Sequence, residues 1–414
     1  MFKNIYKCRV CKNTNLVSIM NLGNQFLTGK FPKFKNEKVT SGPVELVKCF
    51  GDQCCGLVQL KQSYDLSEMY GMNYGYRSGL NKHMVNHLQS KVKKILSSNV
   101  LKNGDIIIDI GSNDATTLLA YPKNLYRLIG VDPTGEKFLN YYPEDIKLIT
   151  DFFSCQLIKK ELGNKKAKVI TSFSMFYDLE DPIKFAQDIE QVLDENGIWV
   201  FEQSYLPSML KANSFDTICH EHLEFYTLKQ IKWILDRANI KIIDVEFNDI
   251  NGGSFSIVSA KKNSFIEPQT IKIENILEEE VQMGLDKINV YDNFKFNVEK
   301  NGNLLKLFLL EVKKKGKRVC GIGASTKGNV LLQYFGINNY LIESIGEVNE
   351  DKYGSFTPGT LIPLLPEEEI LLSNPDYLII LPWHFKNFFL KHPKFKGRKI
   401  IFPLPNFEVI DLPS

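Results

Sequence analysis

Between residues 79 and 98, "GLNKHMVNHLQSKVKKILSS" places apolar residues at helical spacing among polar ones, which predicts an amphipathic helix. The next stretch, "GDIIIDIGSNDATTLLAY", has a different rhythm. An apolar run ends at Asp109, passes through Gly111 and enters a second helical pattern. Strand, tight turn and helix N-terminus form the opening unit of a doubly wound sheet. Further strands are predicted in "YRLIGVDPT", which ends in Asp132, and in "AKVITSFSMF" and "GIWVFEQSY", with "DPIKFAQDIEQVL" as an intervening helix. The series starts again near the end of the chain. "GKRVCGIGASTKGNVLLQYFG" reads strand, glycine turn, helix, and "YLIESIGEVN", "PDYLIILPWHF" and "RKIIFPLP" complete a small parallel sheet. A long polar-helical stretch, roughly residues 266–312, lies between the two series. The fold class expected is α/β, with three parts: a small module at 1–66, a central Rossmann-like domain at 67–262 and a smaller Rossmann-like domain at 263–414.

Composition narrows the function classes. The 414 residues are 43% hydrophobic and 24% charged, which excludes a mostly disordered chain. A net charge of +3, with lysines scattered or in short runs such as "KVKK", leaves no electrostatic footprint for nucleic acid. The first residues, "MFKNIYKCRVCKNT", lack a signal-peptide core, and apolar runs such as "DYLIILPW" fall far short of the ~20 residues a membrane helix needs. A cytoplasmic location is expected, where grouped cysteines point to metal more than to disulfides.

Five of the eight cysteines lie in the first 55 residues. Cys8 and Cys11 form a clean C-x2-C pair, and "CFGDQCC" supplies Cys49 with either Cys54 or Cys55. Two close pairs bring four thiolates around one tetrahedral zinc. Cys55 is favoured because a glycine turn follows it directly. Such a site is structural, since four protein ligands leave no open position for water or substrate.

The "DIGSND" turn carries one glycine, so the full dinucleotide fingerprint is missing. A single-glycine turn after an acidic strand end better suits S-adenosylmethionine, which has no pyrophosphate to cradle. Asp132, about 20 residues on, is placed to accept hydrogen bonds from ribose hydroxyls. Asp109, Gly111, Asn113, Asp132 and Ser172 are the cofactor candidates. The C-terminal glycine turn is not a Walker A loop, because Lys327 follows Thr326 instead of glycine. Its amides, with Lys327 as a point charge, offer a place for a substrate phosphate, and Ser325, Lys327 and His384 are the substrate candidates. "FTPGTLIP" reads either as a rigid connection or as a ligand contact.

"SFDTICHEHLEFYT" holds two of the six histidines, His220 and His222, around Glu221. A zincin helix needs histidines four apart, so this spacing is wrong for that metal site. In an extended segment the two would share a face. Taken in order, "CRVC…CFGDQCCGLVQL", "YGYRSGLNKHM", "DIGSND", "HEHLEFY", "NGGS", "GIGASTKGN" and "TPGTLIP…LPWH" resemble the zinc-containing, adenosylmethionine-dependent C-methyltransferases of nucleotide-linked deoxysugars. The resemblance implies methylation of carbon 3 of a nucleotide-linked 4-keto-deoxysugar, with His222 as base, Glu221 its neighbour, Tyr76 a further polar contact and His220 next in line. Cys219 stands where family members often have tyrosine. Ala115 stands where glycine is common, a change that fits if the backbone there is helical. The alternatives are an O- or N-methyltransferase of another small molecule, or a non-catalytic zinc- and nucleotide-binding protein.

Overall fold

The computed structural model describes residues 2–65, Met69 and 76–413. Near its start, β1 (Phe2–Asn4) pairs with β5 (Gln62–Tyr64), while β2 (Leu16–Phe26), β3 (Ser41–Cys49) and β4 (Val58–Leu60) form an antiparallel sheet. The sheet buries Met20, Val44, Leu46, Val58 and Leu60 on the side facing the rest of the molecule.

The predicted helix runs from Lys82 to Ser97. Asn81 caps it by accepting from the amides of His83 and Met84, which satisfies two of the orphan donors at its start. Met84, Leu88, Val92 and Ile95 are its buried stripe. Glu202 ties it to the central sheet, accepting from His87 Nε2 at 2.6 Å and pairing with Lys91 Nζ at 2.9 Å.

The central sheet contains β6 (Ile106–Ile110), β7 (Arg127–Val131), β8 (Ile146–Ile149), β9 (Ala167–Phe173), β10 (Leu193–Ser204), β12 (Ile240–Asn248) and β13 (Ser254–Lys261). Its order is β12-β13-β10-β9-β6-β7-β8. The five strands from β10 to β8 are parallel, and β13 runs antiparallel to both neighbours. β6 is buried along its whole length, as expected for a strand covered on both faces.

After β6 the expected helix is absent. Asn113 and Ala115 have φ of 49° and 62°, and only a short 3-10 turn, Leu118–Ala120, precedes Pro122. Left-handed residues interrupt the helical ladder, and proline then closes it off. The backbone at Ala115 is therefore not helical. Its φ explains why glycine suits this position, and the alanine methyl is accommodated in a fully buried site.

Two helices, Thr270–Gln282 and Ile288–Lys314, lead to the second α/β unit. Its strands are β14 (Val319–Ile322), β15 (Ile345–Glu347), β16 (Leu364–Pro366), β17 (Tyr377–Ile380), β18 (Lys399–Phe402) and β19 (Glu408–Asp411). The order is β16-β15-β14-β17-β18-β19, parallel except for β19. β16 and β19 lie outside the strands read from the pattern. Among the described residues no helix is long and apolar enough to cross a membrane.

One connection was not legible in the sequence. β11 (Glu224–Phe225), directly after the His-Glu-His stretch, leaves the central domain and pairs with β4, extending the N-terminal sheet to β11-β4-β3-β2. A shared core joins Met20, Leu46 and Leu60 of that sheet, Ile218 and Leu223 around the histidines, and Ile322 and Trp383 of the C-terminal unit.

Candidate active site

Cys8, Cys11, Cys49 and Cys55 converge, with all four Sγ atoms within 4.8 Å of one another. Cys8 lies 3.5 Å from Cys55 and Cys11 3.4 Å from Cys49. The first pair sits on a tight turn in which the Lys12 amide donates to the Cys8 carbonyl. Four thiols at this separation fit a tetrahedral zinc of the structural kind. Cys54 is turned away, donating to the carbonyl of Gly51 at 3.1 Å. Arg9, inside the first pair, is buried and donates to the carbonyls of Leu60 and Gln62 and to Ser63 Oγ, with Glu224 3.8 Å from its Nε.

At the carboxyl end of the central sheet, Gly111 has a φ of 71°, and a Cβ there would meet Met175 Cγ at 3.2 Å. Asp132 accepts from the amide of Asn113 at 2.8 Å and from the amide and hydroxyl of Thr134 at 2.7 and 2.6 Å. It thereby joins the ends of β6 and β7. Asn113 also reaches back to the start of the helix, accepting from the Ser78 amide and donating to the Tyr76 carbonyl. Asp109 accepts from Thr171 Oγ1 at 2.5 Å, and burial pushes its carboxyl up to about 7. Ser172 sits differently from its cofactor assignment. Alternate residues of a strand face opposite sides, and its hydroxyl accepts from Trp199 Nε1 in the packed core. A glycine turn that admits close approach, between two acidic strand ends, fits an adenosine-containing methyl donor.

The histidines do not share a face. The His222 amide donates to the Cys219 carbonyl, so the segment is a turn, not an extended run. His220 goes into the N-terminal module, where it is fully buried, edge-on to Tyr64 and 3.1 Å from the Gln25 carbonyl through Nε2. These contacts hold its ring in the module, although the sequence placed it among the catalytic candidates. His222 turns the other way. Its Nδ1 lies 2.8 Å from the Thr217 carbonyl, and its ring meets Tyr177 edge-on at 4.6 Å. A carbonyl only accepts, so Nδ1 carries the hydrogen and the neutral ring's lone pair is on Nε2. Burial lowers the imidazole to about 4, which keeps it in the basic form at neutral pH. Burial raises the Glu221 carboxyl.

The loop that orients His222 is braced from the C-terminal unit. Trp383 Nε1 donates to Asp216 Oδ2 at 2.7 Å, and Ser214 Oγ donates to Asp216 Oδ1 at 2.7 Å. Neither contact has a motif, so sequence reasoning missed Thr217, Asp216 and Tyr177 alike. "NGGS" has a physical meaning: Asn251, Gly252 and Gly253 have φ of 56°, 92° and 123°, a run that favours asparagine and glycine. Lys327 Nζ donates to the Asn251 carbonyl at 2.6 Å. His384 lies between Trp383 and Phe385, and burial lowers it to about 3. Tyr76 is exposed, and residues 74 and 75 of its motif lie outside the described residues.

The C-terminal turn offers less to a phosphate than expected. The Gly323 amide donates to the Gly346 carbonyl, Ala324 donates to Glu347 Oε2 at 3.1 Å, and Ser325 caps the helix by accepting from Gly328. A phosphate there would face the Glu347 carboxylate, and the Lys327 ammonium points elsewhere. The "FTPGTLIP" loop docks on the N-terminal module, with Phe356 donating to the Pro32 carbonyl.

Three domain families match the chain in succession: a zinc-binding domain over residues 8–70, a methyltransferase domain over 80–245 and a C-methyltransferase C-terminal domain over 249–405. The C-methyltransferase NovU of Streptomyces niveus is 25% identical over 99% of this chain and 98% of its own length. Among solved structures, an S-adenosylmethionine-dependent methyltransferase from Clostridium acetobutylicum matches 42% of this chain and 90% of its own, at 12% identity and a TM-score of 0.34. Magnesium protoporphyrin IX methyltransferase from Synechocystis, with bound adenosylmethionine, matches 43% and 79%, at 11% identity and a TM-score of 0.32.

Proposed function

We propose that this chain is an S-adenosylmethionine-dependent C-methyltransferase, that the methyl acceptor is carbon 3 of a nucleotide-linked 4-keto-deoxysugar and that His222 makes this carbon a nucleophile. Forming a carbon–carbon bond to a sulfonium methyl requires a carbanion equivalent. A carbon next to a ketone becomes one when a base removes its proton, and the electron pair is then shared with the ketone oxygen as an enolate. The observation that carries this reading is the bond from Nδ1 of His222 to the Thr217 carbonyl, which leaves Nε2 as a neutral, oriented proton acceptor. An O- or N-methyltransferase would not need a base for the proton next to a ketone, and its product would carry the methyl on a heteroatom.

Adenosylmethionine, when bound at the Gly111 turn, supplies the methyl group. The chain's own part is to hold the acceptor carbon, take its proton and keep water away. Glu221, beside Cys219, lines the same turn and is read as a neighbour of the base. In this reading residues 1–66 form the zinc module, 67–262 the methyl-donor domain and 263–414 the domain for the nucleotide sugar. His384 and Ser325 remain candidates for that substrate, and the acceptor is a small soluble metabolite, as expected for a cytoplasmic enzyme.

The test is incubation with methyl-labelled adenosylmethionine and a panel of nucleotide-linked 4-ketosugars, followed by locating the label. A methyl on carbon 3 supports the reading. A methyl on oxygen or nitrogen overturns it.

A further inference from the structure

Lys327 opens the helix Thr326–Phe335, yet its ammonium does not serve the glycine turn that precedes it. Its one hydrogen bond among the described residues runs to the Asn251 carbonyl at 2.6 Å, and no carboxylate lies within ion-pair distance of it among those residues. Beside it lies Gly252. A Cβ there would lie 3.9 Å from Lys327 Nζ and 4.0 Å from the Trp383 ring. The same Trp383 holds Asp216, and the next residue, Thr217, holds Nδ1 of His222. The cation therefore belongs to the polar group around the base. Its positive charge adds to burial in lowering both His222 and His384.

Among the described residues this cation has two unused N–H groups and no carboxylate within ion-pair distance, Asp216 being the nearby negative charge that favours its protonated form, so it is placed to meet an anion. The glycine turn does not direct one to it, because Glu347 occupies the turn. We propose that Lys327 donates a hydrogen bond to the C4 oxygen of the substrate as that oxygen becomes an enolate, and so is a catalytic residue and not a diphosphate clamp. The inference rests on the ketosugar reading above. The bookkeeping balances. The C3–H bond breaks and its proton goes to Nε2 of His222. The electron pair forms the C3–C4 double bond, and the carbonyl π pair moves to the C4 oxygen, where the ammonium meets it. The net charge of the group is unchanged. A preorganised donor gains strength only as the oxygen becomes negative, so it lowers the barrier more than it tightens ground-state binding.

The experiment measures hydrogen–deuterium exchange at carbon 3 of the ketosugar in heavy water, with S-adenosylhomocysteine present so that no methyl is transferred. Binding of adenosylmethionine and of uridine and thymidine diphosphates is followed by calorimetry. In Lys327→Met, exchange at saturating ketosugar should fall about 10²–10³-fold, the usual loss for one oxyanion donor, while affinities for cofactor and nucleoside diphosphate stay within about threefold. Lys327→Gln provides the same reading if the methionine variant no longer binds adenosylmethionine. Full exchange at saturating substrate, with or without weaker nucleoside diphosphate binding, would overturn the assignment; weaker binding would return the lysine to the diphosphate. Wild-type protein that exchanges nothing at carbon 3 with any ketosugar of the panel would overturn the ketosugar reading itself, and this inference with it.

Discussion

Leu60 donates its amide to the carbonyl of Leu223 at 2.8 Å, so the residue next to His222 is held by the sheet that the zinc cysteines close. On the other side of the turn, His220 is anchored to the Gln25 carbonyl of the same module. Arg9, between two zinc-binding cysteines, contacts Leu60, Gln62 and Glu224. The geometry of the base thus depends on a module that, among the described residues, makes no hydrogen bond to the cofactor turn. Chelating the zinc should depress exchange and methylation together by about 10²-fold, the cost of a base displaced by roughly 1 Å, and leave adenosylmethionine affinity nearly unchanged. Parallel loss of cofactor binding in calorimetry would show that the domains unfold as one.

The cysteines themselves divide sharply. Cys55→Ser should abolish tight zinc binding, whereas Cys54→Ser should keep a full equivalent, because Cys54 faces Gly51 and not the cluster. Metal analysis of protein purified without chelator decides between them.

Asp132, the proposed ribose partner, is also the latch of its own turn, with acceptor bonds from Asn113 and Thr134. A hydrogen bond to a charged group contributes about 1.5–3 kcal/mol. Asp132→Ala should therefore weaken adenosylmethionine binding roughly 10- to 100-fold, with the fold retained by circular dichroism.

The two histidines should separate by phenotype. His222→Gln should lower exchange and methylation about 10²–10⁴-fold with cofactor binding intact. His220→Asn should chiefly reduce stability. Burial lowers His220 and His222 alike to about 4. The stability linked to their neutral forms is complete above the unfolded value, near 6.5, and is lost as pH falls toward 4. The melting temperature of the wild type should drop over that interval, and His220→Asn should flatten the drop.

Asp109 carries the opposite sign. Its carboxyl is raised from 3.8 to about 7, so the stability it contributes when protonated is lost as pH rises through that range. Asp109→Asn should raise the melting temperature of the cofactor-free protein at pH 8 and change it little at pH 4. Equal effects at both values would mean that the carboxyl ionises normally in the fold.

Local periodicity and short-range chemistry determined much of this protein. The buried run of β6, the acidic ends at Asp109 and Asp132, the helix at 82–97 and the paired cysteines all depend on residues near one another in the chain, so they were legible without the fold. The helix expected after "DIGSND" failed for a backbone reason, the left-handed conformation at Asn113 and Ala115, which side-chain patterning does not encode. What only the tertiary structure decided is where separate segments meet. The sequence put His220, Glu221 and His222 side by side, but a turn sends one imidazole into a distant sheet and aims the other at a carbonyl. Lys327 sits in a phosphate-like motif, yet a carboxylate 20 residues away occupies the turn and the ammonium reaches Asn251, 76 residues earlier in the chain. Backbone carbonyls and long-range ion pairs carry no residue signature, so they were fixed only when the chain folded.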